Sequence, residues 1–245
     1  MSSELAGRVA LVTGASGGIG TRLAERLAGE GAALALHYGR RAEATEELAH
    51  VLLAAGARVA TFGADLADPD APERVVSEVE ATMGPIEILC ANHGRARPAH
   101  YEDVDAGAFD ATLAVNLRAP FLLARRVLGG MIERRFGRIL FTSSVAAFTG
   151  GMVGPDYAAS KAGLHAITHF LASRVASDGV TVNAIAPALI EDTNMLPGDR
   201  GTLARRIPVG RLGRPEEVAD LAVAMLRNGY MTSEVVGLDG GLYAR

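Results

Sequence analysis

Tyr157 and Lys161 stand four residues apart, and Lys161 is the only lysine in a chain whose other 23 basic residues are arginine. Residues four apart on a helix share a face. A cation beside a phenol favours the phenolate and lowers its pKa, as a tyrosine that trades protons near neutral pH requires. Lysine is a compact cation on a flexible stem and arginine a wide planar fork. A chain that keeps one lysine among so many arginines therefore points to a position that needs an amine. Taken alone, the pair fits a solvated helix face better, so its meaning rests on what surrounds it.

A second constellation is Thr13-Gly14-x-x-x-Gly18-x-Gly20, between an apolar run and a helical pattern. Glycines there permit a tight turn and let the backbone approach a pyrophosphate, whose charge meets a helix N-terminus. Glycines at such a junction are also used structurally, and the spacing differs from GxGxxG. At the end of the next strand, where an acid would bind a ribose 2′-hydroxyl, the residues are His37, Tyr38, Gly39, Arg40 and Arg41. An arginine pair suits a 2′-phosphate, and cations at a helix start oppose the dipole unless they serve a ligand. The expected cofactor is NADP(H), with NAD(H) as the alternative.

These residues need a frame. Strands are expected over residues 8–13, 33–37, 58–62, 86–91, 137–143, 180–185 and 235–238. Helices are expected over 18–28, 42–55, 70–83, 109–135, 155–177 and 215–227. Such alternation is the signature of βαβ units. The expectation is α/β: a single Rossmann-type domain over 1–245, a doubly wound parallel sheet of about seven strands with helices on both faces. Residues 189–212, rich in Gly, Pro and charge, read as a loop with a short helix and as the lid that selects the substrate.

Composition narrows the function. At 49% hydrophobic and 21% charged residues the chain reads as a globular protein. A formal net charge of −4 argues against nucleic acid as a partner. No apolar run is long enough to span a bilayer. A lone Cys90 and an N-terminus without signal-peptide character lead us to expect a cytoplasmic protein. His165 and His169 are one turn apart without an acid or thiol at ligand spacing, so no metal site is expected.

Ser144 precedes Tyr157 by thirteen residues. Together with the glycine turn, Asn116 and Tyr157-x-x-x-Lys161, it gives an arrangement that resembles the short-chain dehydrogenase/reductase family across essentially the whole chain. Asp65, Asn92, Gly94, Asn183-Ala-Ile-Ala-Pro187, Gly210-Arg-Leu-Gly-Arg-Pro215 and Asp239-Gly-Gly241 belong to the same resemblance. It implies that Tyr157 is the general acid toward a carbonyl oxygen and that Lys161 lowers its pKa and binds the nicotinamide ribose. Ser144 would hydrogen-bond the substrate oxygen, and Asn116 would hold a relay water. Cofactor contacts are implied for Gly14, Ser16, Gly18, Ile19, Gly20, Tyr38, Arg40, Arg41, Asp65, Leu66, Asn92, Gly94, Pro187, Ile190 and Thr193, besides Tyr157 and Lys161. Adjacent Ser143 should face the other side of its strand.

Gly137-Arg-Ile139, Tyr157-Ala-Ala-Ser-Lys-Ala-Gly163 and Asp239-Gly-Gly-Leu-Tyr243 are similar to 3-oxoacyl acyl-carrier-protein reductases within that family. Departures are Ala91 in place of an asparagine, His93 in place of alanine, and Ala188 in place of glycine; the Thr193 region holds one extra residue. Arg134 and Arg135, or else Arg95 and Arg97, are candidate cations for an anionic carrier, and Asp178 stands where such enzymes have a base. Three readings follow: an NADPH-dependent reductase of 3-oxoacyl thioesters, with an acyl-carrier protein as a partner; a reductase or dehydrogenase of a small free ketone or alcohol; and a nucleotide-binding redox sensor. Apolar residues on several faces of the 109–135 and 155–177 helices, Phe121, Leu164 and Phe170 among them, predict burial against more than the sheet, and the resemblance implies that these two helices pair between subunits. The family resemblance implies a homotetramer, with a dimer as the smaller assembly.

Overall fold

The strands form where short apolar runs are bounded by turn residues, and the helices where apolar residues recur on one face. A computed structural model describes residues 3–193 and 199–243. In chain order the elements are β1 (Val9–Thr13), α1 (Gly18–Gly29), β2 (Ala33–Tyr38), α2 (Ala42–Ala54), β3 (Val59–Gly63), α3 (Ala71–Met83), β4 (Ile86–Ala91), α4 (Ala106–Leu113) and α5 (Ala119–Glu133). They continue with β5 (Gly137–Thr142), α6 (Ala146–Thr149), α7 (Pro155–Val175), β6 (Val180–Pro187), α8 (Arg200–Ala204), α9 (Pro215–Arg227) and β7 (Val235–Leu238).

The seven strands pair in the order β3-β2-β1-β4-β5-β6-β7, all parallel. Successive residues of a strand face opposite sides, and both sides are covered. Val9, Leu11, Leu89, Ile139 and Phe141 pack with α3, α5 and α7. Ala10, Val12, Ile88, Cys90 and Leu140 pack with α1, α2 and α9. This is the doubly wound sheet that the alternating pattern predicts. The chain runs outward from β1 to β3 and then returns to β4 on the other side of β1. Ligands of such sheets sit outside the carboxyl ends of the strands at that reversal.

The expected single helix over 109–135 is two helices. Asp105 caps α4, its carboxylate accepting from the Ala108 N–H at 2.7 Å, so the helix starts earlier. Residues Ala114–Arg118 then form a wide π turn before α5 begins. Pro120 explains the widening. It has no N–H to offer the carbonyl four residues back, that of Asn116, and its ring would collide with that carbonyl in an α-helix. Elsewhere the differences are of one or two residues, chiefly β6 running on to Pro187, plus short turns at Tyr101–Asp103, Ala146–Thr149 and Ala176–Asp178.

Candidate active site

Helix α7 opens with Pro155 at its first turn and carries Tyr157, Ser160 and Lys161 on its buried face. The Lys161 ammonium donates to the Thr142 carbonyl at the end of β5, at 2.7 Å, and lies 5.9 Å from the centre of the Tyr157 ring. Ser144, two residues further along, hydrogen-bonds the phenol. Ser143 and Ser144 lie just beyond the strand, so strict alternation no longer applies. The Ser143 hydroxyl donates to the Lys161 carbonyl and pairs with His165 Nε2 at 2.8 Å, tying the strand end to the helix. Ser144 alone is left to the phenol.

The electrostatics depart from the sequence expectation. Burial disfavours both charged forms: it raises the Tyr157 pKa, which the Ser144 hydrogen bond partly opposes, and brings Lys161 down to about 8. Lys161, 5.9 Å from the ring centre, does not reverse that direction: burial dominates, and the net shift of the phenol is upward. The neutral phenol is favoured, and its proton is available for transfer.

Asn116 is fully buried in the π turn. Its carboxamide is committed: Oδ1 accepts from the Arg95 N–H at 2.8 Å, and Nδ2 donates to the Arg95 carbonyl and to Ser160 Oγ. Ser160 thus joins Asn116 to the Tyr157 helix, a link the sequence reading missed. The side chain serves as a clamp, and the group that Pro120 deprives of its helical donor is the Asn116 carbonyl.

The glycine turn sits at the carboxyl end of β1. Gly14 has φ +66°, and a Cβ there would meet the His93 Cα at 2.9 Å; at Gly20 a Cβ would meet the Gly14 carbonyl at 2.2 Å. Ser16, Gly18 and Ile19 complete the turn at the head of α1. The Tyr38 ring lies over Gly63, and the Arg41 guanidinium lies beside Gly17. Arg40 and Arg41 are exposed and make no ion pair among the described residues. Exposed Asp65 accepts from the Ala67 N–H beside buried Leu66. Asn92 donates to the carbonyls of Thr13 and Gly14 and accepts from Thr142, binding three strand ends together next to Gly94. Pro187 and Ile190 are buried at the end of β6, and the Thr193 hydroxyl donates to the Ile190 carbonyl at 2.9 Å. All the proposed site residues therefore border the carboxyl ends of the strands.

Comparison with known proteins accounts for this arrangement. Residues 8–202 match the family described as short chain dehydrogenase. The chain belongs to that family. It is 38% identical to an acetoacetyl-CoA reductase of Allochromatium vinosum over 96% of this chain and 98% of that one. To the 3-oxoacyl acyl-carrier-protein reductase FabG of Aquifex aeolicus it is 34% identical, over 99% and 100% of the two chains. A solved structure, a blue fluorescent protein from a metagenomic library in complex with NADPH, superposes with a TM-score of 0.92 at 32% identity, over 98% of this chain and 99% of that one. The protein is an oxidoreductase of hydroxyl and carbonyl groups.

Two sets of candidate residues in this short-chain dehydrogenase take other positions. Arg134 and Arg135 precede the amino end of β5, whereas Ser144 follows its carboxyl end, a strand length of about 20 Å away. They donate to the carbonyls of Ile86 and Ser177 and do not border this site; Asp178 lies at that same far end. Arg95 and Arg97 are exposed on the loop after β4, whose backbone clamps Asn116. His165 bonds Ser143, and His169 pairs with Ser233. No group of three or more His, Cys, Asp or Glu gathers among the described residues, and none of their helices is long and apolar enough to cross a membrane.

Residues 194–198 of the expected lid lie outside the described residues. Around them, Ile190 bridges Gly213, α8 is capped by Asp199, and Leu203, Ile207 and Leu212 form a small cluster apart from the two main cores. Arg206 reaches Met152 Sδ at 3.1 Å, so this segment leans on the loop before α7.

Proposed function

We propose that this short-chain dehydrogenase is an NADP(H)-dependent carbonyl reductase whose substrate is a 3-oxoacyl thioester. The observation that carries the reading is the buried Ser144, Tyr157 and Lys161 cluster, with Asn116 clamped behind it, beside a glycine turn that side chains would fill. The turn fits a dinucleotide pyrophosphate, Arg40 and Arg41 fit a 2′-phosphate, and Lys161 fits ribose hydroxyls. NADPH would supply a hydride.

What the protein's own groups do follows from their geometry. A carbonyl oxygen between Ser144 and Tyr157 accepts two hydrogen bonds, preorganised where negative charge develops. Burial keeps the phenol protonated at neutral pH, so Tyr157 can give its proton to that oxygen. The phenolate left behind is stabilised by the Ser144 hydroxyl and the nearby Lys161 ammonium. Thr142 holds that ammonium in place, and Asn116 offers the carbonyl freed by Pro120 to a relay water.

The names of two relatives support a thioester, and the NADPH complex supports the choice of cofactor. Arg95 and Arg97 supply cations for the phosphates of a carrier. Residues 189–212 act as the lid. The groove between α4, α5 and α7, lined by Leu113, Leu117, Phe121 and Ile167, with exposed Phe170 nearby, supports a homotetramer. A cytoplasmic setting accords with these substrates. Purified protein should oxidise NADPH with acetoacetyl-CoA faster than with any of a panel of small free ketones. Faster turnover of a ketone moves the substrate to that class; tight NADPH binding with no turnover makes the protein a sensor.

A further inference from the structure

His93 fills a position the proposed reaction does not use, yet its ring is buried and both its nitrogens are bonded. The reason lies in the π turn. The Ala119 N–H reaches back to the Ala114 carbonyl, and Pro120 has no N–H. The Val115 carbonyl therefore receives neither of the helical donors four and five residues on. A backbone carbonyl inside a protein needs a partner, and His93 Nε2 lies 3.0 Å from it.

The protonation pattern follows from the partners. Burial, with His37 and Lys161 nearby, holds the His93 pKa down to about 3, so the ring is neutral and carries one hydrogen. A carbonyl only accepts, so that hydrogen is on Nε2, and Nδ1 accepts from the Thr13 hydroxyl at 2.7 Å. Thr13 Oγ1 in turn accepts from the N–H groups of Asn92 and His93. A continuous chain of hydrogen bonds thus runs from the end of β1, next to Gly14, through His93 to the turn that holds Asn116.

We propose that His93 is a positioning residue: its bond to the Val115 carbonyl supplies the donor that the π turn leaves it without, and so fixes Asn116 relative to the cofactor turn. This rests on the carbonyl-reductase reading for its kinetic consequence but not for its structural one. Two variants separate the two ends of the ring. His93→Asn keeps a polar atom toward Thr13 and loses the reach to Val115; His93→Gln places an amide N–H where Nε2 was and gives up Thr13.

With acetoacetyl-CoA and NADPH, His93→Asn should lower kcat about tenfold or more, the scale of a misplaced catalytic group, while the KM for NADPH stays within about twofold. His93→Gln should recover most of the rate. Amide hydrogen exchange at residues 114–119 should quicken in His93→Asn and return toward wild type in His93→Gln. Equal losses in both variants, an unimpaired His93→Asn, or a loss carried by the KM for NADPH would overturn the proposal. If the wild-type protein reduces no carbonyl, the proposed function fails, and the exchange pattern alone decides whether His93 holds the turn.

Discussion

The shelf formed by the ends of β4 and β5 with α7, and the described parts of the proposed lid, residues 189–193 and 199–212, are built differently. On the shelf, Asn116, Ser144, Tyr157 and Lys161 are all buried, and each polar side chain has a named partner. Beyond Ile190, which packs in a main core, the described part of the lid has three buried apolar side chains clustered with Leu189, and charged groups at its surface. Preorganised groups in a dry site cost no reorganisation at the moment of reaction, whereas a segment with few buried contacts opens at low free energy. The shelf is suited to chemistry that does not vary, and the lid to a choice of substrate that does.

The sharpest way to break this comparison is on the shelf. Tyr157→Phe removes one hydroxyl from a buried ring and leaves its packing. It should cut carbonyl reduction by about 10³-fold or more, within the range for loss of a general acid, while NADPH affinity by fluorescence titration stays within about twofold. Retained turnover would mean that the phenol is not the proton donor.

Across β1 from the shelf, after β2, lies the proposed nucleotide end. Exchanging Arg40 and Arg41 together for Ala removes two exposed cations, of which Arg41 lies beside the glycine turn. A charge-assisted hydrogen bond contributes about 1.5–3 kcal/mol, so losing the equivalent of one from these exposed side chains should raise the KM for NADPH about 10–100-fold with that for NADH little changed. Parallel changes for both cofactors would leave the pair without a role in choosing between them.

Lys161 gives the shelf a pH signature. Its pKa is lowered to about 8 by burial, from an ordinary 10.5. Above pH 8 the cofactor-free protein loses the ammonium, so kcat/KM for NADPH should decline as pH rises through that value, by as much as tenfold per pH unit. Stability moves the other way. Between about 8 and 10.5 the unfolded chain holds the proton that the folded one has shed, so this group's contribution rises with pH over that window and is lost as pH falls through 8. Comparing the pH dependence of thermal unfolding in wild type and Lys161→Met isolates it; superimposable curves would show that the lysine titrates normally.

How much of this was legible in the sequence depended on which physics it required. Periodicity located β4, β7 and α9 at their observed ends, because their apolar runs are bounded by Gly, Pro and capping residues. Helical spacing put Tyr157 and Lys161 on one face. The π turn was also readable, since Pro120 stands four residues after Asn116, but the apolar pattern runs through it unbroken and reads as one helix. The direction of the Tyr157 shift was not readable: it is set by burial, a property of the packed structure. Strand polarity decided the fate of Arg134 and Arg135, whose nearness in sequence to β5 hid that they lie at its other end. The partner of His93 is a carbonyl 22 residues away and belongs to tertiary structure alone.

The smallest expected effect tests the lid. Leu203 is 4% exposed and, among the described residues, belongs to a small cluster with Ile207, Leu212 and half-buried Leu189, whereas Leu164 is wholly buried in the larger core beneath α7. Truncating a leucine costs more where the surroundings cannot collapse into the cavity. Leu203→Ala should therefore cost about 1–2 kcal/mol in unfolding free energy, and Leu164→Ala a value toward the 2–5 kcal/mol range of well-packed sites. The kinetic pattern should invert. Leu203→Ala should change the ratio of kcat/KM between a long and a short acyl thioester by a few-fold, the worth of a methylene or two in an apolar pocket, and leave kcat for the better substrate nearly intact. A large drop in kcat with an unchanged ratio would mean that the lid takes part in the chemistry, and the division between shelf and lid would not hold.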